Sequence, residues 1–513
     1  MKKFLSKLES KLDGGSGGGS GGGSSTSSAP APDLGSQPSQ RHMYYHRKQY
    51  GVNLGSWFTL ESWLTGSLFQ GAKDPKGSEM DLLHGLGPEK AKQVLESHWD
   101  NFINDGDWKW MTSQGINTVR LPISYYHFLP GSSSSKLMDG TEYEKYASVY
   151  SGAWPRIQRA IETAASHGIG VLVDLHSAPG SQNTDGHSGL STGKAGLWDS
   201  SKHQKNTIAI LQALANEVAR YDNVVGLELL NEPKNNNGLQ GFYEDAIKAI
   251  RKQGGPAAEL PLYLGDAWDL NHYAGWVAKQ AGPGNFLVVD HHLYRCFTKE
   301  DHSTQAMEHA KRLQNGGQTQ KMLAGAANTL GGSLIIGEWS SALNPGSLQG
   351  QSQDEAQRAW GQAQTGSYAS LLGGSFFWTL KKEGAPDGGW NLYSAIEKGV
   401  IPSGLGRPRQ APGDLDQRGN HAGSQALESH SNYWNSHGAK GDHRPFSDGF
   451  QQGWQDANLF WQQGGQNQIG FSGQWAMTRA EGWKRQGGDG GIAWEYEHGC
   501  RQAIEAFNQM LRG

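Results

Sequence analysis

The sequence predicts an α/β chain folded as an eight-stranded (β/α)8 TIM barrel with a small, helical C-terminal extension. Three observations predict it: eight short apolar runs, helix-length segments between them, and polar residues gathered where the runs end. The runs cover 50–57, 116–123, 169–176, 224–231, 260–267, 286–292, 333–339 and 374–380. Stretches such as Leu334-Ile335-Ile336 are apolar on consecutive positions, as a strand buried on both faces should be. Segments 88–114, 153–167, 203–221, 238–253, 302–328 and 352–371 are long enough for crossover helices, and strand–helix alternation implies a parallel sheet. Eight units favour closure over an open sheet, which would bring a Gly-rich phosphate turn after its first strand.

Composition narrows the function classes. The 513 residues carry a formal charge of −4 and no basic run, so a nucleic-acid partner is not expected. With 19 Trp and only 18% charged residues, the chain suits sugar handling through aromatic stacking, although most of these rings can serve as core. Two cysteines, Cys296 and Cys500, make no disulfide framework, as expected of a reducing compartment. The N-terminus has no secretory apolar core, and no run approaches the roughly 18 apolar residues of a membrane span. A soluble, cytoplasmic protein is the expectation.

Four regions follow. Residues 1–44 read as a disordered tail with a Gly/Ser linker at 14–24, natural or engineered. Within the tail, 1–12 could form a marginal amphipathic helix making weak membrane or partner contact. Residues 45–402 form the barrel, 403–430 a second linker, and 431–513 an aromatic-rich extension. In the extension, Phe446, Phe450 and Trp454 with Gly449 and Gly453 parallel Tyr496, Cys500 and Ile504 with Gly499 and Ala503. Bulky residues at i, i+4 and i+8 with small ones at i+3 and i+7 predict two helices packed closely together. His421, His430, His437 and His443 fit no compact ligand spacing and read as solvated linker residues, so no metal or cofactor is expected.

Catalytic groups of such a barrel sit at the C-terminal strand ends. Strand two ends Arg120-Leu-Pro, strand three Asp174-Leu-His176, and strand four Asn231-Glu232-Pro233. Strand six ends His291-His292-Leu-Tyr294, strand seven Gly337-Glu338-Trp339, and strand eight carries Trp378. Glutamates on strands four and seven face each other across the mouth, and glycoside hydrolysis needs such a pair, about 5–5.5 Å apart when configuration is retained. Arg120 and the Tyr294 hydroxyl are the natural groups to keep Glu338 ionised, while Glu232 should be raised by its neighbour's charge.

Taken together, Asn231-Glu232-Pro233, Ile336-Gly-Glu338-Trp339, Arg120 and His292-x-Tyr294 resemble glycoside hydrolase family 5. The stretches Gly51-Val-Asn-Leu-Gly-Ser-Trp57 with Glu61, Asp174-Leu-His-Ser-Ala-Pro-Gly-Ser-Gln182 and Gly399-Val-Ile-Pro402 resemble its fungal exo-β-1,3-glucanases. The resemblance spans about Tyr45 to Pro402, and here it would be an intracellular member. It implies Glu338 as nucleophile, Glu232 as acid/base and Asn231 on the sugar 2-hydroxyl. It also implies His176 and His292 lining the subsite of the cleaved sugar, Trp378 as its floor, and Glu61 gripping the terminal glucose of an exo-acting pocket. Phe297 matches one half of an aromatic clamp for the next sugar; Asp185 stands where the other half belongs, and Ser177 replaces a glycine.

The expected activity is retaining, exo-acting release of glucose from β-1,3- or β-1,6-gluco-oligosaccharides by double displacement. Hydrolysis of small-molecule or lipid glucosides is the alternative in the same class, and a non-catalytic carbohydrate-binding protein is the alternative in another. The extension's tryptophans could form a sugar platform or anchor the extension to the barrel.

Overall fold

A computed structural model describes residues 29–314, 316–406, 413–438, 441–463 and 468–511. The features expected at 1–12 and 14–24 lie outside the described residues. The strands are β1 (Gln49–Asn53), β2 (Thr118–Ser124), β3 (Gly170–Ser177), β4 (Val224–Glu228), β5 (Leu262–Gly265), β6 (Leu287–Arg295), β7 (Leu334–Leu343) and β8 (Gly374–Phe377). They close in chain order, every neighbouring pair parallel, with β8 returning to β1. Each expected run is one of these strands. The first ends early because Ser56 takes a left-handed backbone (φ 60°) that no strand accommodates.

The expected helices are present, two of them divided. Segment 88–114 splits into Pro88–Asn101 and Asp105–Ser113. Asn104 starts the second: its side chain accepts from the Gly106 amide at 2.9 Å, and Asp107 accepts from the Asn104 amide at 2.8 Å. Segment 302–328 divides into Ala306–Leu313 and Gln318–Thr329 around Gly316 (φ 78°). A further helix, Leu270–Gln280, joins β5 to β6.

Two expected irregular regions are partly structured. In the tail expected at 1–44, a helix forms over Gln40–His46, its start capped by Ser39. Apolar Met43, Tyr44 and Tyr45 are buried there, giving that segment the packing a disordered tail lacks. In the linker expected at 403–430, the chain is helical from Leu415 to Ser436, and His430 is buried rather than solvated. The apolar positions Leu415, Ala422, Ala426 and Leu427 pack this helix on the C-terminal cluster, outweighing its polar composition.

The extension adds helices Arg444–Gln462, Ser472–Arg485 and Ala493–Met510. The first and last pack as the repeat predicted. A Cβ on Gly449 would strike the Tyr496 carbonyl, one on Gly453 the Cys500 carbonyl, and one on Gly499 the Phe446 carbonyl. The helices sit on the N-terminal ends of the strands. Gln474 donates to the Gly282 carbonyl at 3.0 Å, the Gly473 amide donates to Gly331 at 3.0 Å, and the Phe471 ring lies against Gly373. Trp454 and Trp475 are buried, and Trp475 donates to Asp456, which also pairs with Arg479. Trp475 also packs edge-on against His46 at 4.9 Å, outside the extension, whereas Trp454 packs within it against Phe507.

Candidate active site

At the opposite, C-terminal end of the barrel opens a cavity of about 970 Å³. Nine of the ten predicted site residues line it: Glu61, His176, Asn231, Glu232, His292, Tyr294, Phe297, Glu338 and Trp378. The tenth, Arg120, lies beneath them, fully buried in the barrel interior.

Register explains how the groups meet. His292 on β6 pairs with Glu338 on β7, and Asp174 on β3 with Glu228 on β4. Just past β4, Glu232 adopts φ 42°, a left-handed backbone rarely taken by a side-chain-bearing residue, at the rim of the cavity. Gly337 is required beside Glu338, because the Asp290 carboxylate occupies the place of a Cβ and accepts from the Gly337 amide at 2.6 Å.

Arg120 organises the floor. It donates to Glu338 Oε1 at 2.9 Å, Asn231 Oδ1 at 2.8 Å, Glu228 Oε2 at 2.7 Å and Asn53 Oδ1 at 3.1 Å, and lies 3.1 Å from Asp174. The Tyr294 hydroxyl donates to Glu338 Oε2 at 2.8 Å, so both oxygens of this carboxyl accept from fixed donors. His292 Nδ1 lies 2.8 Å from Glu232 Oε1 and 3.4 Å from Glu338 Oε2. One oxygen from each of the two glutamates lies within 4.8 Å of the other. His176 bonds Asp174 through Nδ1 at 2.6 Å, and the Trp378 ring stacks parallel to it at 6.0 Å. Glu61 accepts from Trp63 Nε1 at 2.7 Å. His291, paired with Asp266 at 2.7 Å, is tied to a neighbouring strand end.

The proton balance differs from expectation. Burial lifts Glu338 to about 7, outweighing His292, Arg120 and Tyr294, because Arg120's charge is shared among several carboxylates. Burial also works to raise Glu232, but the hydrogen bond and charge of His292 prevail and hold it at about 2. Sequence reasoning expected the reverse order because it did not place His292 against both carboxyls. His292 itself is raised well above its ordinary value: burial opposes its charge, but Glu338 and Asp290 outweigh that. Burial pushes His176 down to about 4 against the pull of Asp174, so it is a neutral ring.

Sequence reasoning missed several site residues. His187, two positions after Asp185, brings Nε2 to 3.5 Å from Glu232 Oε2. Burial opposes its charge, but Glu232, Glu61 and Asp185 raise its pKa. A histidine in a βα-loop at a barrel mouth is the sequence signal that marks it. Glu228 and Asn53, interior partners of Arg120, end β4 and β1, but the longer apolar runs 224–231 and 50–57 hide them as strand-end groups. Trp63, Trp268 and Trp390 line the cavity from loops whose course the sequence does not fix.

The site defines a class: two carboxyls facing across a barrel mouth, held by an arginine, a tyrosine and histidines. A family model described as cellulase (glycosyl hydrolase family 5) matches residues 88–394. The chain belongs to glycosyl hydrolase family 5 and is a glycoside hydrolase, which sets aside the non-catalytic alternative. Residues 415–511 match a second model, the glucan 1,3-beta-glucosidase 3 C-terminal domain. Glucan 1,3-beta-glucosidase 3 of Schizosaccharomyces pombe is 33% identical over 92% of this chain and 97% of that protein. A glucan 1,3-beta-glucosidase of Candida oleophila is 32% identical over 72% and 92% respectively. Among solved structures, rutinosidase from Aspergillus niger superposes with a TM-score of 0.52 at 19% identity, over 70% of this chain and 98% of that one, a likeness of fold.

Proposed function

We propose that this enzyme is a retaining, exo-acting β-glucosidase that removes terminal glucose from β-1,3- or β-1,6-linked gluco-oligosaccharides. Glu338 is the nucleophile and Glu232 the acid/base. The carrying observation is that one carboxyl oxygen of Glu232 and one of Glu338 lie within 4.8 Å of each other across the mouth, which supports direct attack rather than an interposed water. The names of the curated relatives support a β-1,3-glucosidic substrate. Glu61, lining the cavity and held by Trp63, supports a closed-ended pocket for one terminal sugar.

The two carboxyls share His292 and exchange protons as one unit, which retains one proton between about pH 2 and about 7. Hydrogen bonding decides where it does its work. Glu338 accepts on both oxygens from Arg120 and Tyr294, whereas Glu232 Oε2 faces the cavity, with only His187 3.5 Å away. The proton therefore serves on Glu232, which gives it to the departing glycosidic oxygen while Glu338 attacks the anomeric carbon. Glu232 then takes a proton from the water that releases the sugar. Asn231 Nδ2 is positioned to donate to the sugar 2-hydroxyl, and Trp378 to stack beneath the ring.

A second reading, glucosides with apolar aglycones, is favoured by one observation: Phe297, Trp268 and Trp63 line the cavity while 71%, 55% and 44% exposed. A panel of laminari-oligosaccharides, gentiobiose, aryl glucosides and lipid glucosides, with product anomers followed by NMR, tests both. β-Glucose as the first product is expected; α-glucose first rules out retention. Relative kcat/KM across the panel selects the leaving group.

A further inference from the structure

The C-terminal helices hold a second cluster of ligating side chains, at the far end of the molecule from the barrel mouth. His430 comes from helix Leu415–Ser436, His443 immediately precedes helix Arg444–Gln462, and Glu495 lies near the start of helix Ala493–Met510. All three are buried. His443 Nδ1 is 3.0 Å from Glu495 Oε1, and His430 Nε2 is 3.9 Å from Glu495 Oε2. One ligand atom from each lies within 4.8 Å of the other two.

The cluster is unsatisfied as it stands. His430 is only 2% exposed, yet among the described residues neither ring nitrogen has a hydrogen-bond partner, and His443 Nε2 has none either. A buried, unpaired polar atom is costly, on the order of 1–3 kcal/mol. Apolar neighbours deepen the need: Phe446 stacks on the His430 ring at 4.1 Å, and Trp434 and Trp494 close over it.

We propose that His430, His443 and Glu495 bind one divalent transition-metal ion, zinc by the chemistry of the donors. Two imidazoles and a carboxylate are a borderline-soft set that favours zinc over calcium or magnesium. For ligands about 2.0–2.2 Å from zinc, tetrahedral geometry places donor atoms about 3.3–3.5 Å apart, so small shifts from the present separations suffice. Water completes the fourth position. Because the three ligands come from three helical segments, the ion cross-links the extension.

The test uses the untagged full-length chain, stripped with chelator and then titrated with zinc alone and with cobalt(II) alone. Expected are about one zinc per chain by elemental analysis after dialysis, a melting temperature raised by at least about 2 °C, and visible d–d bands of four-coordinate cobalt. His430→Gln and Glu495→Gln should each lose the bound ion, whereas Glu232→Gln should keep it. No uptake and no spectrum in the wild-type chain overturns the proposal without reference to any variant. So does retention of the ion by both His430→Gln and Glu495→Gln, or its loss on Glu232→Gln, which would place it at the barrel mouth.

Discussion

Arg120 Nη2 donates to Asn231 Oδ1 at 2.8 Å. A guanidinium has no acceptor, so this bond fixes which end of the amide is oxygen and turns Nδ2 towards His176 Nε2, 3.3 Å away, and His187 Nδ1, 3.5 Å away. The same cation bonds Glu338 on the other side of the mouth. One buried charge thus sets the Glu338 carboxyl and the Asn231 amide in a common frame, and Arg120 carries both positioning and stability.

Removal of that cation should be felt in folding as well as in rate. Arg120→Met leaves Asp174 buried without its counter-charge, and a broken buried pair costs about 3–5 kcal/mol. Urea unfolding followed by fluorescence measures this. A loss below 1 kcal/mol would mean that the interior carboxyls are neutral and do not depend on Arg120.

Glu232→Gln should lower kcat on oligosaccharides by about 10²–10⁴-fold, the usual worth of general acid–base catalysis. An aryl glucoside with a good leaving group needs no acid for the first step, so the variant should stall at the glucosyl-enzyme and azide should rescue it. The expected rescue product is β-glucosyl azide. Glu338→Ala with azide should instead yield the α-azide, and exchanged outcomes would exchange the two roles.

The shared proton predicts an alkaline limb. Once the pair loses its last proton, Glu232 can no longer act as acid, so kcat/KM should fall with a midpoint near pH 7. Tyr294 favours the ionised form of Glu338; Tyr294→Phe therefore tightens the hold on the proton and moves the midpoint upward. A hydrogen bond of ~1.5 kcal/mol to a charged acceptor corresponds to about one pH unit. A pH profile of kcat/KM checks the sign, and a downward shift would contradict it.

The helix crossing in the extension should not tolerate bulk. Gly453→Val forces a side chain into the Cys500 backbone and should destabilise the protein by about 1–3 kcal/mol. Gly482→Ala, at a helical glycine with open space around it, should be neutral or slightly stabilising. Paired thermal melts distinguish them, and equal melting temperatures would deny the crossing its glycines.

The strands and the paired glutamates were legible because parallel barrel strands leave consecutive apolar runs that end in polar catalytic groups. The 446–507 repeat was legible for a similar reason, since small residues at helical spacing foretell a close crossing. Hidden were effects of three-dimensional neighbourhood. Composition made Leu415–Ser436 look like linker, yet its apolar stripe packs on a cluster supplied by later helices, with Gly419 against Trp454 and Gly423 against Phe450. His292 was read as a sugar contact, and only its placement between Glu232 and Glu338 shows that it governs their protons.

The described chain enters beside Gly284, at the base of β6, where Ala29 lies against that glycine's backbone. The extension occupies the same pole, while the cavity opens at the other. The molecule is therefore polarised, with a handle at one end and a working mouth at the other. Bulk attached at Ala29 itself stands at the pole away from the cavity, whereas the same bulk grafted onto the loops near Phe297 or Trp268 stands in the doorway.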